Sequence, residues 1–159
     1  MIDTVELQYS TYALPPSRFE PGTPPIAEVV GLAAACDYLS SIGMDRIHSH
    51  EKELGEYLYN ELAAIENLEL YGPPASSGRR SGLVAFNSKD VHPTDLSFFL
   101  DQEGVAVRTG HHCTQPLHRK LGVPGSMRAS LYFYNDKTDI DTFIAKLKDT
   151  ISFFKNMGQ

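Results

Sequence analysis

The part of the chain richest in reactive side chains surrounds one cysteine, in the run Arg108-Thr109-Gly110-His111-His112-Cys113-Thr114-Gln115-Pro116-Leu117. We predict that Cys113 lies on a loop between a strand and a helix that begins near Pro116, because proline suits a first helical turn. Backbone N–H groups at a helix start and neighbouring cationic side chains favour the thiolate, the nucleophilic form of cysteine. An exposed thiol at this position could pass sulfur between two partners.

Three interpretations of this loop stay open on residue types alone. Cys113 could be a reactive nucleophile. It could instead be a loop cysteine with no functional role, next to two solvated histidines. It could also be one ligand of a metal site, with the nearby histidines His111, His112 and His118. Adjacent side chains rarely point at one ion, and no second cysteine or carboxylate pair completes the set, so the metal site is the least favoured.

A second candidate is Arg128, in the run Ser126-Met127-Arg128-Ala129-Ser130-Leu131, at the start of a predicted strand. The planar guanidinium can bind a carboxylate through two parallel hydrogen bonds, so an arginine at a strand end suits a substrate carboxylate. A surface salt bridge is an equally compatible reading of the same spacing.

The elements that must position these side chains follow from apolar periodicity and turn residues. We predict helices at 25–42, 45–65 and 92–102, one from 116 and one from 138, and strands at 68–71, 83–86, 105–108 and 128–134. The helix at 25–42, capped by Thr23 and ended by Gly43, is apolar on nearly all sides, so we expect it to be buried, with Cys36 as an inert core residue. The last helix is the best supported, with Thr138 as its cap and the apolar stripe Ile140, Phe143, Ile144, Leu147, Ile151 and Phe154. The pattern predicts an α+β domain, a small mixed sheet with helices packed mainly on one face.

The first 24 residues show no helical period and end in a proline-rich run. We therefore predict an irregular N-terminal segment at 1–24 followed by one domain at 25–159. We also expect a further part of the protein to precede the segment.

Net charge and apolar content exclude two classes of partner. The net charge is −6 and no basic cluster stands out apart from the short pair Arg79-Arg80, so no nucleic acid is expected. No apolar run approaches the roughly 20 residues that span a bilayer, so no membrane is expected, and the two cysteines suggest free thiols in a reducing compartment.

The runs around Cys113 and Arg128, together with Tyr134-Asn135, resemble the C-terminal signature of group II (Suf-type) cysteine desulfurases. Further matches occur in the same order at 18–24, 37–43 and 70–73, so the resemblance covers nearly the whole chain. The segments 112–121 and 130–135 are most similar to plastid and cyanobacterial members. The resemblance implies the C-terminal small domain of a pyridoxal-phosphate enzyme of fold type I, in the class V aminotransferase fold family. It also implies a chloroplast stroma location, or the cytoplasm of a cyanobacterium or other bacterium.

For the candidate site, the resemblance implies that Cys113 attacks the sulfur of L-cysteine held by the cofactor, becomes a persulfide and releases L-alanine. Arg128 would hold the substrate carboxylate, and Arg108 and His112 would line the loop beside the cysteine. The persulfide would pass to a sulfur acceptor protein of the Suf system and serve iron–sulfur cluster assembly. Selenocysteine lyase or cysteine-sulfinate desulfinase activity, and a non-enzymatic sulfur-relay module, are the alternatives.

For the cofactor, pyridoxal 5′-phosphate, the resemblance implies that Thr23 with Gly22 reaches the phosphate bound by the neighbouring subunit of a homodimer. Members of the family hold the rest of the cofactor with a larger N-terminal domain, which supplies a Schiff-base lysine, a stacking histidine and a pairing aspartate. The resemblance implies that the segment 1–24 belongs with that larger domain. None of those motifs occurs here, and the lysines of this chain match other parts of the family. We therefore expect the isolated chain to be inactive.

Overall fold

The computed structural model describes residues 1–157, which group into two compact units, Met1–Met44 and the chain from Asp45 onward. The observed division falls after Met44, whereas the predicted boundary lies after residue 24. The assignment of residues 1–24 to a larger cofactor domain stays a prediction.

The N-terminal unit begins with an antiparallel hairpin of β1 (Ile2–Val5) and β2 (Ser10–Tyr12). A 3-10 turn at Ser17–Phe19 and the helix α1 (Ile26–Ile42) follow. The prediction of an irregular segment was therefore wrong for residues 2–12. Every side chain of β1 is exposed, so these strands are held by backbone pairing and lack the apolar alternation that marks a half-buried strand.

Helix α1 ends at Gly43 as expected, but it is exposed along its length. No residue of α1 is buried, and its apolar side chains Ile26, Val29, Val30 and Leu32 are 58–66% exposed. The expectation of a buried helix was wrong within this chain, and Cys36 is an exposed thiol rather than a core residue. Thr23 is not the cap either, because the helix starts at Ile26 and Pro25, which has no capping side chain, takes that position.

The second unit contains a four-stranded sheet of β3 (Leu68–Tyr71), β4 (Leu83–Ser88), β5 (Arg108–Gly110) and β6 (Ser126–Ser130). The strand order is β3-β4-β6-β5 and all three pairings are antiparallel. The α+β class is confirmed, while the pairing differs from the mixed sheet that we expected. The reason is that β6 lies between β4 and β5, so β4 and β5, which run in the same direction, are not neighbours.

Four helices complete this unit: α2 (Met44–Ala63), α3 (Pro93–Gln102), α4 (Gln115–Leu121) and α5 (Lys137–Met157). Helices α2, α3 and α5 and one face of the sheet share a single apolar core. Its most deeply buried members are Leu54, Leu58, Leu62, Val84, Phe86, Leu96, Leu100, Met127, Ile140, Ile144 and Leu147. The opposite face of β4 and β6 carries the alternate side chains, which are therefore free to form a site.

The differences from the sequence prediction include the bounds of the last two strands and one helix cap. Residues 105–107 alternate like a strand, but pairing with β6 starts only at Arg108. Strand β6 ends at Ser130, because the segment after it forms a turn in which Tyr132 N–H donates to the Asn135 side chain at 2.9 Å. The cap of α5 is Asp136, whose carboxylate accepts from Thr138 N–H at 2.7 Å.

No single helix within residues 1–157 is long and apolar enough to cross a membrane; the consecutive helices α1 and α2 meet that criterion only as a bent pair, by length and composition.

Candidate active site

Cys113 lies at the tip of a strained turn between β5 and α4, and its thiol is exposed. His112 and Cys113 both have left-handed backbone conformations, with φ of 50° and 60°. Such a conformation costs a non-glycine residue roughly 1–2 kcal/mol. Thr114 closes the turn, since both its N–H and its hydroxyl donate to the His111 carbonyl oxygen at 2.8 Å. Strain of this kind is typical of functional sites that the surrounding structure holds in place.

Arg128 projects from β6 on the face opposite the apolar core, at the centre of a row across the sheet. Its register partners are Ala85 on β4 and Arg108 on β5. Arg128 is half-buried and its Nε is buried, yet among residues 1–157 that atom has no hydrogen-bond partner. A buried donor without a partner costs free energy unless a ligand satisfies it, so this guanidinium is suited to a carboxylate.

His112 is held as a neutral imidazole with one free acceptor. Its Nε2 donates to the Ser126 carbonyl oxygen at 3.0 Å, so the proton is on Nε2 and Nδ1 is the acceptor nitrogen. Burial lowers the pKa of His112, the hydrogen bond to Ser126 opposes the shift, and the nearby Arg128 and Arg108 lower the pKa further. The Nδ1 atom is buried and lacks a partner among the described residues.

Asn87 is a further polar residue on the open face of the sheet, two positions along β4 from Ala85. Its amide nitrogen donates to the Gly125 carbonyl oxygen at 2.8 Å and to the Tyr71 hydroxyl at 3.2 Å. Its Oδ1 is buried and unpartnered within residues 1–157. Sequence reasoning missed Asn87, because an asparagine near a strand end has no distinguishing local signal.

Sequence reasoning also missed the structural role of His118, which it considers only as a possible metal ligand. It is buried, with Nδ1 3.1 Å from the Thr114 carbonyl oxygen and Nε2 3.0 Å from Ser126 Oγ. In the part of the chain that the structure describes, no three His, Cys, Asp or Glu side chains come together as metal ligands. His118 instead makes hydrogen bonds to the turn and to β6.

The predicted site residues therefore fall into two groups. Arg108, Arg128 and His112 come together on the open face of the sheet, and Cys113 directly follows His112. Gly22 and Thr23 lie in the N-terminal unit, where both are exposed and Gly22 has the left-handed φ of 79°. The cofactor-binding role of these two residues stays a prediction.

Comparison with known proteins shows the family to which the chain belongs. Residues 1–143 match the family model described as aminotransferase class V. The chain is 51% identical, over 97% of its length, to a protein of Staphylococcus epidermidis named probable cysteine desulfurase. It is 52% identical to a protein of the same name from Staphylococcus aureus. The chain spans 37% of the length of each of these relatives.

Solved structures give the same result. The cysteine desulfurase CsdA from Escherichia coli, in an S-sulfonic acid form, superposes with a TM-score of 0.81 at 31% identity, over 96% of this chain and 37% of that one. The apo cysteine desulfurase from Thermococcus onnurineus superposes with a TM-score of 0.80 at 36% identity, over 95% of this chain and 37% of that one. The α+β unit therefore has the fold of the small domain of pyridoxal-phosphate enzymes of fold type I. The chain belongs to the class V aminotransferase family.

Proposed function

We propose that this chain is the C-terminal part of a pyridoxal-phosphate-dependent cysteine desulfurase, which converts L-cysteine to L-alanine and leaves a persulfide on Cys113. The observation that carries the proposal is an exposed thiol on a strained turn, next to a sheet face where the buried Nε of Arg128 has no partner among residues 1–157. The names of the relatives and of the superposable structures support the same activity.

Substrate binding is assigned to the residues of the open face. Arg128 offers its buried Nε and the rest of its planar fork to the α-carboxylate of cysteine. Arg108, the exposed register partner of Arg128, adds positive potential at the same place. His112 contributes the free Nδ1 as a hydrogen-bond acceptor, and its neutral form avoids a third positive charge beside the two arginines.

Sulfur transfer is the task of Cys113. Its thiolate attacks the substrate sulfur, so that an S–S bond forms, the C–S bond breaks and the electron pair goes to the substrate carbon, which is then protonated to give alanine. Pyridoxal 5′-phosphate, when bound, supplies the electron sink for that pair. Gly22 and Thr23 are proposed to reach the phosphate of the cofactor of the neighbouring subunit in a homodimer, and the other cofactor contacts are expected outside this chain.

The wider role proposed is that of a group II, Suf-type enzyme. The persulfide would pass to a sulfur acceptor protein of the Suf system for iron–sulfur cluster assembly, and the exposure of Cys113 is compatible with such a transfer. The proposed location is the chloroplast stroma, on the wording of the segments 112–121 and 130–135. The alternative is the cytoplasm of a bacterium, since the relatives named above are bacterial.

The test compares Cys113→Ala with Cys36→Ala, since both thiols are exposed. Each variant, joined to the lysine-bearing part of the enzyme and loaded with cofactor, is given L-cysteine. We expect Cys113→Ala to lose alanine formation and the sulfur adduct seen by mass spectrometry, while Cys36→Ala keeps both. Full turnover by Cys113→Ala, or an adduct on Cys36 alone, would sink the proposal.

The same preparations separate the alternatives. Selenocysteine and cysteine sulfinate have better leaving groups than cysteine and depend less on a nucleophile. If Cys113→Ala loses activity on cysteine but keeps activity on those two substrates, the thiol serves sulfur transfer alone. The isolated 159-residue chain is expected to show no visible absorbance from bound cofactor and to release no sulfide. If that chain nevertheless gains one sulfur on Cys113 from a persulfide donor, it acts as a sulfur-relay module.

A further inference from the structure

His118 connects the Cys113 turn to strand β6, because each of its ring nitrogens makes one hydrogen bond. His118 is 3% exposed and Ser126 is 2% exposed. The Thr114 carbonyl can only accept a hydrogen bond, so Nδ1 of His118 carries the proton and donates to it at 3.1 Å. Nε2 then accepts from the Ser126 hydroxyl at 3.0 Å. Both ring nitrogens of a neutral imidazole are thereby satisfied.

The same point on β6 anchors the other side of the turn. The backbone carbonyl of Ser126 accepts from His112 Nε2 at 3.0 Å, and the rings of His112 and His118 lie with centroids 5.8 Å apart. Cys113 therefore lies between two anchored residues, His112 before it and Thr114 after it. Its left-handed conformation is imposed from both sides, although its own side chain is exposed.

Strand β6 also carries Arg128, two residues after Ser126. Sites built on a strand hold their geometry better than sites on a free loop, and a misplacement of about 1 Å can cost two orders of magnitude in rate. The anchor of the nucleophile's turn and the candidate carboxylate-binding residue thus share one rigid element.

We propose that His118 is a positioning residue for sulfur transfer, which fixes Thr114 to β6 and so keeps the Cys113 turn in register with Arg128. The inference rests on the proposed function, in which Cys113 accepts the sulfur. His118 is buried, so it acts through Thr114 and Ser126 and not on the substrate itself.

The test uses His118→Phe, which keeps a ring in the core and removes both hydrogen bonds, and His118→Gln, whose amide can restore one of them. The matched controls are His48→Phe, at an exposed histidine of α2, and Ser152→Ala, at an exposed hydroxyl of α5. Two quantities are measured: amide hydrogen exchange of the segment 111–117 against the segment 140–151 of α5, and kcat and KM for L-cysteine in the complete cofactor-loaded enzyme.

For His118→Phe we expect exchange in 111–117 to become roughly five- to tenfold faster with 140–151 unchanged. We expect kcat to fall about ten- to a hundredfold with KM within about twofold, because binding at Arg128 is kept while alignment is lost. His118→Gln should recover part of kcat, and the two controls should match the parent protein.

An unchanged kcat in His118→Phe, or equal loss of protection in both segments, would overturn the positioning role. If that variant does not fold, Ser126→Ala removes the other end of the same bond and must show the same split between kcat and KM. The outcome for Cys113→Ala keeps the two ideas apart. Full turnover without the thiol refutes the proposed function, whereas lost turnover together with an unaffected His118→Phe refutes the positioning role alone.

Discussion

Arg128 brings a positive charge into a half-buried position, and no acceptor for its Nε lies among residues 1–157. An unsatisfied buried donor destabilises the fold in the absence of ligand, because its bonds to water are lost without replacement. Arg80, in contrast, donates to the carbonyl oxygens of Tyr71, at 2.9 Å, and of Pro73, and its guanidinium lies 4.3 Å from the centre of the Tyr59 ring. The two arginines therefore predict opposite effects on stability.

Replacing Arg128 with Met should leave the free energy of unfolding unchanged or raise it by about 1 kcal/mol, while KM for L-cysteine rises more than tenfold. Replacing Arg80 with Met should lower the free energy of unfolding by roughly 1–3 kcal/mol, because several hydrogen bonds and a cation–π contact are lost. Urea unfolding and steady-state kinetics measure the two quantities. A stability loss for Arg128→Met as large as that for Arg80→Met would contradict the assignment.

His112 predicts a specific pH dependence of stability. Burial lowers its pKa in the folded chain below the unfolded value of about 6.5, so the folded state binds this proton less readily. The contribution of His112 is therefore complete above pH 6.5 and is lost as the pH falls from there towards the lower folded pKa. The difference in unfolding free energy between pH 7.5 and pH 5.5 should shrink in His112→Gln. A difference as large as in the parent chain would argue against the shift.

The site could be predicted from sequence only in part. Cys113 and Arg128 stand in runs whose wording resembles a known family, and the structure places one on an exposed turn and the other on an open sheet face. No local pattern reveals the roles of Asn87, Ser126 and His118. These roles depend on hydrogen bonds between residues that are 8 to 38 positions apart in the chain.

At the level of elements, prediction succeeded where one face of an element is buried. The apolar stripes of α2 and α5 and the short strand β3 are buried or half-buried as their periodicity indicates. Prediction failed at 105–107, where an apolar run with alternating burial makes no strand pairing. It also failed at β1, where the strand pairs although its side chains are exposed. Periodicity reports burial, and it reports hydrogen bonding only when the two coincide.

Two glycines on helices test how packing overrides helix propensity. Alanine in place of a helical glycine normally stabilises a helix by about 1 kcal/mol. A Cβ at Gly55 of α2 would lie 2.9 Å from the Ser81 carbonyl oxygen, whereas a Cβ at Gly31 of α1 would meet nothing within 4 Å. Gly55→Ala should therefore destabilise the chain by roughly 1–3 kcal/mol, and Gly31→Ala should be neutral or stabilising. Urea unfolding followed by far-ultraviolet circular dichroism would measure both, and a stabilising Gly55→Ala would contradict the close approach.

For the whole molecule, the exposed apolar side chains of α1 are the feature that most favours aggregation. Contiguous apolar surface on a chain favours association or dye binding. The 159-residue chain should therefore bind a hydrophobic dye such as ANS and associate as its concentration rises. Val29→Lys combined with Leu32→Lys should reduce both effects without changing the unfolding of the second unit, whereas the same pair of substitutions at the exposed polar positions Glu28 and Asp37 should not. Sedimentation velocity would measure association, and a monomeric chain that binds no dye would contradict the expectation.

The order β3-β4-β6-β5 has a consequence for synthesis. Strand β6, one of the two interior strands of the sheet, is the last of the four to leave the ribosome. Any nascent or truncated chain that stops before residue 126 therefore carries β4 and β5 with open hydrogen-bonding edges. Such edges template pairing with other chains. Premature termination within the 111–125 connection should therefore produce insoluble material rather than a smaller folded product.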